Sequence, residues 1–179
     1  SSASLEDVNA GKILTQLAEN PLVRGIRQII NYEPSWPRNE QLGDLLSNPR
    51  WCEGYAELKI YSLSYDFQLN PHQLIDAVRL VEKHPDTPVI IGHLGSPTIN
   101  DLTENKDDYW NGLKAFSEQE KTYIKISMLS YIDKNWEQNS LVQETVLRVI
   151  DLFGIDRCFF ASNFPVENHF GWNADRLYK

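Results

Sequence analysis

Cysteine is scarce in this chain, and the scarcity narrows its chemistry. Cys52 and Cys158 stand far apart with no second ligand at metal spacing, so neither a disulfide framework nor a zinc ribbon is indicated. Reduced thiols and a cytoplasmic location are expected. Long apolar runs are also missing: no stretch approaches the roughly 20 residues of a membrane span, and the polar start Ser1-Ser2-Ala3-Ser4 is no signal peptide. No basic cluster offsets a formal net charge of -8, so an extended phosphate backbone would be repelled. Absent too are a phosphate loop, a dinucleotide glycine fingerprint, a Gly-x-Ser-x-Gly elbow and any His-x-His or His-Glu-x-x-His pair. The expected partner is a small molecule, not nucleic acid or a membrane, and a homo-oligomer is compatible with the sequence. The start without methionine fits a processed chain or a fragment.

What is present is one domain's worth of core, 179 residues without internal repeat, low-complexity tract or linker. Apolar segments of strand length alternate with segments of helical period, the pattern of βα units around a parallel sheet. Strands are expected at 23–29, 63–69, 88–93, 122–126 and 157–161, each followed by loop residues. Asn70-Pro71 starts a helix as N-cap and first-turn proline, with Leu74, Ala77, Val78 and Val81 on its apolar face. Ser140-Leu141-Val142-Gln143 reads as a capping box, opening a helix that ends at Gly154. Further helices are expected at 8–19, 40–46, 51–61 and 107–119, a last one from Asn173 to Lys179, and a loop at 95–108.

In a parallel α/β barrel the carboxyl ends of all strands share one face, so residues distant in sequence meet there. His93 closes the run Val89-Ile90-Ile91-Gly92-His93 and can ligate a metal, exchange a proton, or simply bond a loop carbonyl. Arg27 offers a planar fork for a carboxylate or lactone carbonyl, the plain alternative being a salt bridge to a nearby acid. Lys125, a charge inside an apolar strand, needs a buried partner such as Asp66 or a wet cavity. Asp66 and Gln68 share one strand face, expected inward, where Asp66 can be ligand or base. Ser127, Ser162 and Asn163 complete the strand ends. His72 and His84 are expected in solvent, His169 on a mobile surface loop, and Cys158 as inert core.

Three motifs in order, His93-Leu94-Gly95-Ser96-Pro97, Tyr123-Ile124-Lys125-Ile126-Ser127 and Phe160-Ala161-Ser162-Asn163-Phe164-Pro165-Val166, resemble the amidohydrolase-related family of metal-dependent TIM-barrel hydrolases. Arg24-Gly25-Ile26-Arg27, the segment from Asp66 to Leu74 and Trp110 sit where that pattern would place them, so the resemblance covers nearly the whole chain. It implies an α/β (β/α)8 barrel of which this chain carries about five units, in one partial domain over residues 1–179. It further implies hydrolysis of a lactone or amide of a carboxylated small molecule, with a divalent metal, zinc or manganese. His93 would then bind the metal or polarise the carbonyl, Arg27, Lys125 and Gln68 would hold substrate, and Asn163 would orient water. Asp66 is the other candidate in the catalytic set.

Two departures qualify this. The family's water-activating carboxylate at the end of the last strand is Asn163 here, an amide that hydrogen-bonds water but cannot take its proton. The opening His-x-His strand is missing, so the chain by itself can also carry no metal, and its isolated activity is expected to be impaired. By motif order the five strands correspond to the fourth through eighth of the barrel, the first three preceding Ser1, which leaves two sheet edges open. A nonoxidative decarboxylase on the same barrel and a catalytically inactive binding or assembly protein are the alternatives.

Overall fold

The computed structural model describes residues 1–37 and 39–177. Its centre is a five-stranded parallel sheet in the order β1-β2-β3-β4-β5. The strands are β1 Gly25–Ile29, β2 Ser64–Gln68, β3 Val89–Ile91, β4 Thr122–Ile126 and β5 Cys158–Phe160. The helices are α1 Ala10–Ala18, α2 Asn39–Leu42, α3 Pro49–Glu57, α4 Leu74–Lys83, α5 Ile99–Thr103, α6 Lys106–Ser117, α7 Leu129–Ile132, α8 Ser140–Phe153 and α9 Ala174–Leu177. Strand order follows chain order without a reversal, as in successive βα units of a TIM barrel.

Side-chain alternation divides the sheet into two unlike faces. Ile26, Tyr65, Phe67, Leu69, Val89, Ile91, Ile124 and Ile126 are buried under the helices, where Trp51, Leu74, Tyr109, Leu113, Phe116, Val142 and Val149 meet them. The opposite face carries the register row Arg27, Asp66, Ile90 and Tyr123, with Lys125 paired to Phe159 one step higher. Tyr123 and Phe159 on that face are 36% and 39% exposed, so it is open rather than packed. Chemistry-bearing residues therefore lie on the face that the helices do not cover.

All five expected strands form, β4 with its expected limits and the other four shorter. His93 lies outside β3 because its own φ is +54°, turning the chain sharply after Gly92. The stretch expected as a loop at 95–108 contains α5, capped by the Thr98 hydroxyl accepting from Asp101 N–H, and the start of α6. Helix expectations shift likewise. Asn48 rather than Trp51 begins α3, its side chain accepting from Arg50 and Trp51 N–H. Asn70-Pro71 opens a tight 3-10 turn before α4, with Gln73 Oε1 accepting from Asn70 N–H at 3.0 Å. The cap of α8 is Asn139, which accepts from Leu141 N–H at 3.0 Å, while Ser140 is already helical. The region 40–46 splits into α2 and a single turn at Leu45–Ser47, and residues 58–61 form a separate turn after α3. Of the last helix the described residues show Ala174–Leu177, and Lys179 lies outside them.

One edge departs from expectation. Ser2 bridges Arg27 in parallel, and Arg27 N–H donates to Ser1 carbonyl oxygen at 2.8 Å. The outer edge of β1 is therefore partly paired by the chain's own first residues.

Close packing of α6 on α4 depends on Gly112, where an added Cβ would stand 2.4 Å from Leu74 Cβ. Gly112→Ala should lower the urea unfolding midpoint, an overpacking cost of about 1–3 kcal/mol outweighing alanine's helix propensity of about 1 kcal/mol. The neighbouring exposed Asn111→Ala should leave it unchanged or raise it slightly. Equal midpoints for the two variants would contradict this packing.

Candidate functional site

The in-register pairing of β1 with β2 sets Arg27 beside Asp66, and parallel order sets Lys125 on the other side. Lys125 Nζ donates to Asp66 Oδ2. Arg27 Nε stands 3.9 Å from Asp66 Oδ1, a Coulombic contact too long for a hydrogen bond, and both of those atoms are buried without a hydrogen-bond partner. Of the two alternatives for the strand lysine, the ion pair with Asp66 is therefore formed, partly rather than fully buried. Lys125 Nζ also lies 6.0 Å from the centre of the Phe159 ring.

His93 completes this layer from the next strand exit. Arg27 Nη2 lies 3.0 Å from His93 Nε2, and His93 Nδ1 lies 2.8 Å from Ser127 Oγ. A guanidinium has no acceptor, so Nε2 must accept, which assigns the neutral ring with its proton on Nδ1, donated to Ser127. Burial, then the Arg27 charge, pushes the His93 pKa down to about 4, with Lys125 adding to the effect and Asp66 opposing it. Gly92 makes the approach feasible: a Cβ there would sit 3.0 Å from Phe67 carbonyl oxygen and 3.2 Å from Arg27 Nη2. Left-handed φ values at His93, Leu94, Gly95 and Ser96 then carry the chain over the sheet's end. Leu94 is buried in the core, and its carbonyl accepts from the Tyr109 hydroxyl at 2.9 Å.

Asn163 belongs to a second cluster. Its Nδ2 donates to Glu167 Oε1 at 3.2 Å, and the Ser130 hydroxyl donates to Glu167 Oε2. Glu167 is 1% exposed and was not singled out from the sequence. Its spacing of four residues from Asn163 across a proline turn was the available signal. Gln68, two residues beyond Asp66 on the same face, lines a cavity of about 270 Å³ above the charged layer. His72 and His169 are exposed, as expected, whereas His84 is half-buried with its ring 5.6 Å from that of Tyr55. Cys158 is also half-buried rather than core, and burial pushes its thiol pKa up.

A metal ion does not fit these residues as they stand. His93 Nε2 is taken by Arg27, both Asp66 oxygens face cations, and no group of three or more His, Cys, Asp or Glu suited to a metal occurs among the described residues. Two cations against one carboxylate instead leave the layer net positive, which suits an anionic or strongly polar ligand.

A parallel sheet of βα units in chain order, with polar groups at its carboxyl end, is the architecture of a TIM barrel. The chain belongs to the amidohydrolase family, whose model matches residues 3–178. It is 31% identical over 180 residues to the uncharacterised y4mH protein of Sinorhizobium fredii, covering 96% of this chain and 59% of that one. Among solved structures it is similar to an amidohydrolase from Burkholderia multivorans, one crystal form of which holds zinc. That form gives a TM-score of 0.79 at 17% identity, covering 98% of this chain and 61% of the other. A probable 2-pyrone-4,6-dicarboxylic acid hydrolase from Acinetobacter baumannii, with citric acid bound, gives 0.72 at 14% identity, covering 99% and 62%. The chain thus spans about three fifths of the length of these relatives, and no helix among the described residues is long and apolar enough to cross a membrane.

The depressed His93 pKa has a measurable consequence. A histidine that binds its proton less readily folded than unfolded stabilises the fold fully above its ordinary value of 6.5, and this is lost as pH falls toward about 4. The full loss is about 3 kcal/mol. Acid unfolding of the natural protein should therefore be steeper between pH 6.5 and 4 than that of His93→Gln. Parallel stability curves in that window would show that His93 is not held neutral.

Proposed function

We propose that this chain contributes to an amidohydrolase-type hydrolase acting on a lactone or amide of a carboxylated small molecule. The observation that carries the reading is the net positive layer of Arg27, Lys125 and Asp66 at the strand ends, with the guanidinium oriented by a neutral histidine. The Acinetobacter neighbour's bound citric acid, a tricarboxylate, agrees with this charge.

In this reading Arg27 and Lys125 hold the substrate's carboxylate or polarise its carbonyl, with Gln68 contributing a neutral hydrogen bond. Asp66 keeps the two cations side by side. His93 acts through Arg27 as a positioning residue, because its Nε2 accepts from the guanidinium and its Nδ1–H goes to Ser127. With Nδ2 committed to Glu167, the Asn163 amide turns its oxygen toward other partners, where it accepts a hydrogen bond from water and orients it. The water oxygen bonds to the carbonyl carbon, the ring C–O or the C–N bond breaks, and a proton from the water ends on the departing oxygen or nitrogen. A metal of the family's kind would need ligands beyond this layer, so no step here runs through one.

The test is a panel of carboxylated lactones and amides, followed for both binding and product. Ring-opened acid or freed amine supports the reading, and Arg27→Ala should weaken binding of the carboxylated compounds about 10–100-fold, the loss of a charge-assisted contact worth about 1.5–3 kcal/mol. Carbon dioxide release without ring opening would assign the decarboxylase reaction instead. Binding without turnover would leave a binding protein.

A further inference from the structure

The cavity above the charged layer has a composition of its own. Its floor follows the layer residue by residue: Ile29 lies two positions past Arg27, Gln68 two past Asp66, Ser96 three past His93 and Met128 one past Ser127. At about 3.3 Å per strand residue, the cavity stands about 7 Å above the cations, within the span of one small molecule. Its volume of about 270 Å³ falls just below the roughly 300–1,000 Å³ of drug-sized sites, room for one ring and its substituents.

Three aromatic side chains from the segments that follow β1, β4 and β5 converge on it: Trp36, Tyr131 of α7 and Phe170. Trp36 and Tyr131 are 38% and 40% exposed, leaving ring surface for a ligand to cover. No charged side chain lines the cavity among the described residues, although the layer below it is charged. Ser96 is 5% exposed, and its hydroxyl has no hydrogen-bond partner. Such a group is costly until a ligand satisfies it.

We propose that this cavity is the recognition subsite for an uncharged aromatic ring bearing a hydroxyl or carbonyl substituent. Trp36 and Tyr131 take the ring, and Ser96 takes the substituent. The assignment rests on the hydrolase reading for the group that reacts below, but the ring subsite is measured separately. Aromatic faces favour flat rings in offset or edge contacts, and each such pair adds about 0.5–1.5 kcal/mol beyond buried area. Among the described residues the wall offers neutral polar groups, Asn31, Gln68, Asn70 and Ser96, but no charge, which disfavours burial of a second ionised group.

Four probes separate the contributions by calorimetry on the 179-residue chain: 4-hydroxybenzamide, benzamide, 4-hydroxybenzoate and glucono-δ-lactone. 4-Hydroxybenzamide should bind saturably and more tightly than benzamide or the sugar lactone. Trp36→Ala and Tyr131→Ala should each weaken it by about 3–10-fold, as loss of one ring contact requires. Ser96→Gly, which tolerates the left-handed φ of +55° at that position, should abolish the preference for the hydroxylated ring while melting no lower than the natural protein. Preferred binding of glucono-δ-lactone, or 4-hydroxybenzamide binding unchanged by both aromatic substitutions, overturns the proposal. Failure of the hydrolase reading looks different: 4-hydroxybenzoate then gains nothing over the amide, while the aromatic dependence of amide binding persists.

Discussion

The carboxyl end of the sheet depends on one carboxylate. Asp66 receives the Lys125 ammonium directly and faces the Arg27 guanidinium across 3.9 Å, so two like charges share a partly buried layer that neither could enter alone. Such a pair of cations repels, and a single acid between them turns repulsion into a fixed geometry. One positive charge remains unbalanced by design of the layer. The ion pairs are best understood as setting orientation, since desolvation cancels much of their Coulombic gain.

From that fixed point the geometry extends outward through backbone conformation. Arg27 reaches His93 because Gly92 has no side chain to block the guanidinium, and His93 presents its ring because its own backbone is left-handed. A left-handed non-glycine residue is costly, and here His93, Leu94 and Ser96 share that conformation with Gly95 between them. Their anchor is Leu94, fully buried, with its carbonyl held by Tyr109 from α6. Core packing on one side of the sheet thereby holds a strained turn that serves the other side.

How much of this the sequence disclosed follows from the range of each interaction. Apolar runs of strand length marked β1 through β5, and the apolar stripe marked α4, because both signals are local. Thr122–Ile126 emerges with the expected limits, whereas 88–93 loses its last two residues to a turn that no periodicity announces. Asn139 and Ser140 are both good caps, and only the backbone decides that the former stays outside the helix. The Lys125–Asp66 pair was legible because a charge in an apolar strand needs a partner. Arg27 with His93, 66 residues apart, needed the sheet register. Glu167 escaped because an acid in a loop reads as solvated, and its partner Ser130 lies on a different element.

Glu167 also changes what Asn163 means. A neutral amide at the end of the last strand looks like a lost carboxylate, yet a buried carboxylate stands hydrogen-bonded to it, held by a hydroxyl and an amide rather than by a cation. The two acids of the strand ends are thus in opposite settings, Asp66 among charges and Glu167 among neutral donors. They meet through the short segment after β4, where Ser127 accepts from His93 and Ser130 donates to Glu167. Any ligand that displaces this segment must disturb both sets of hydrogen bonds together.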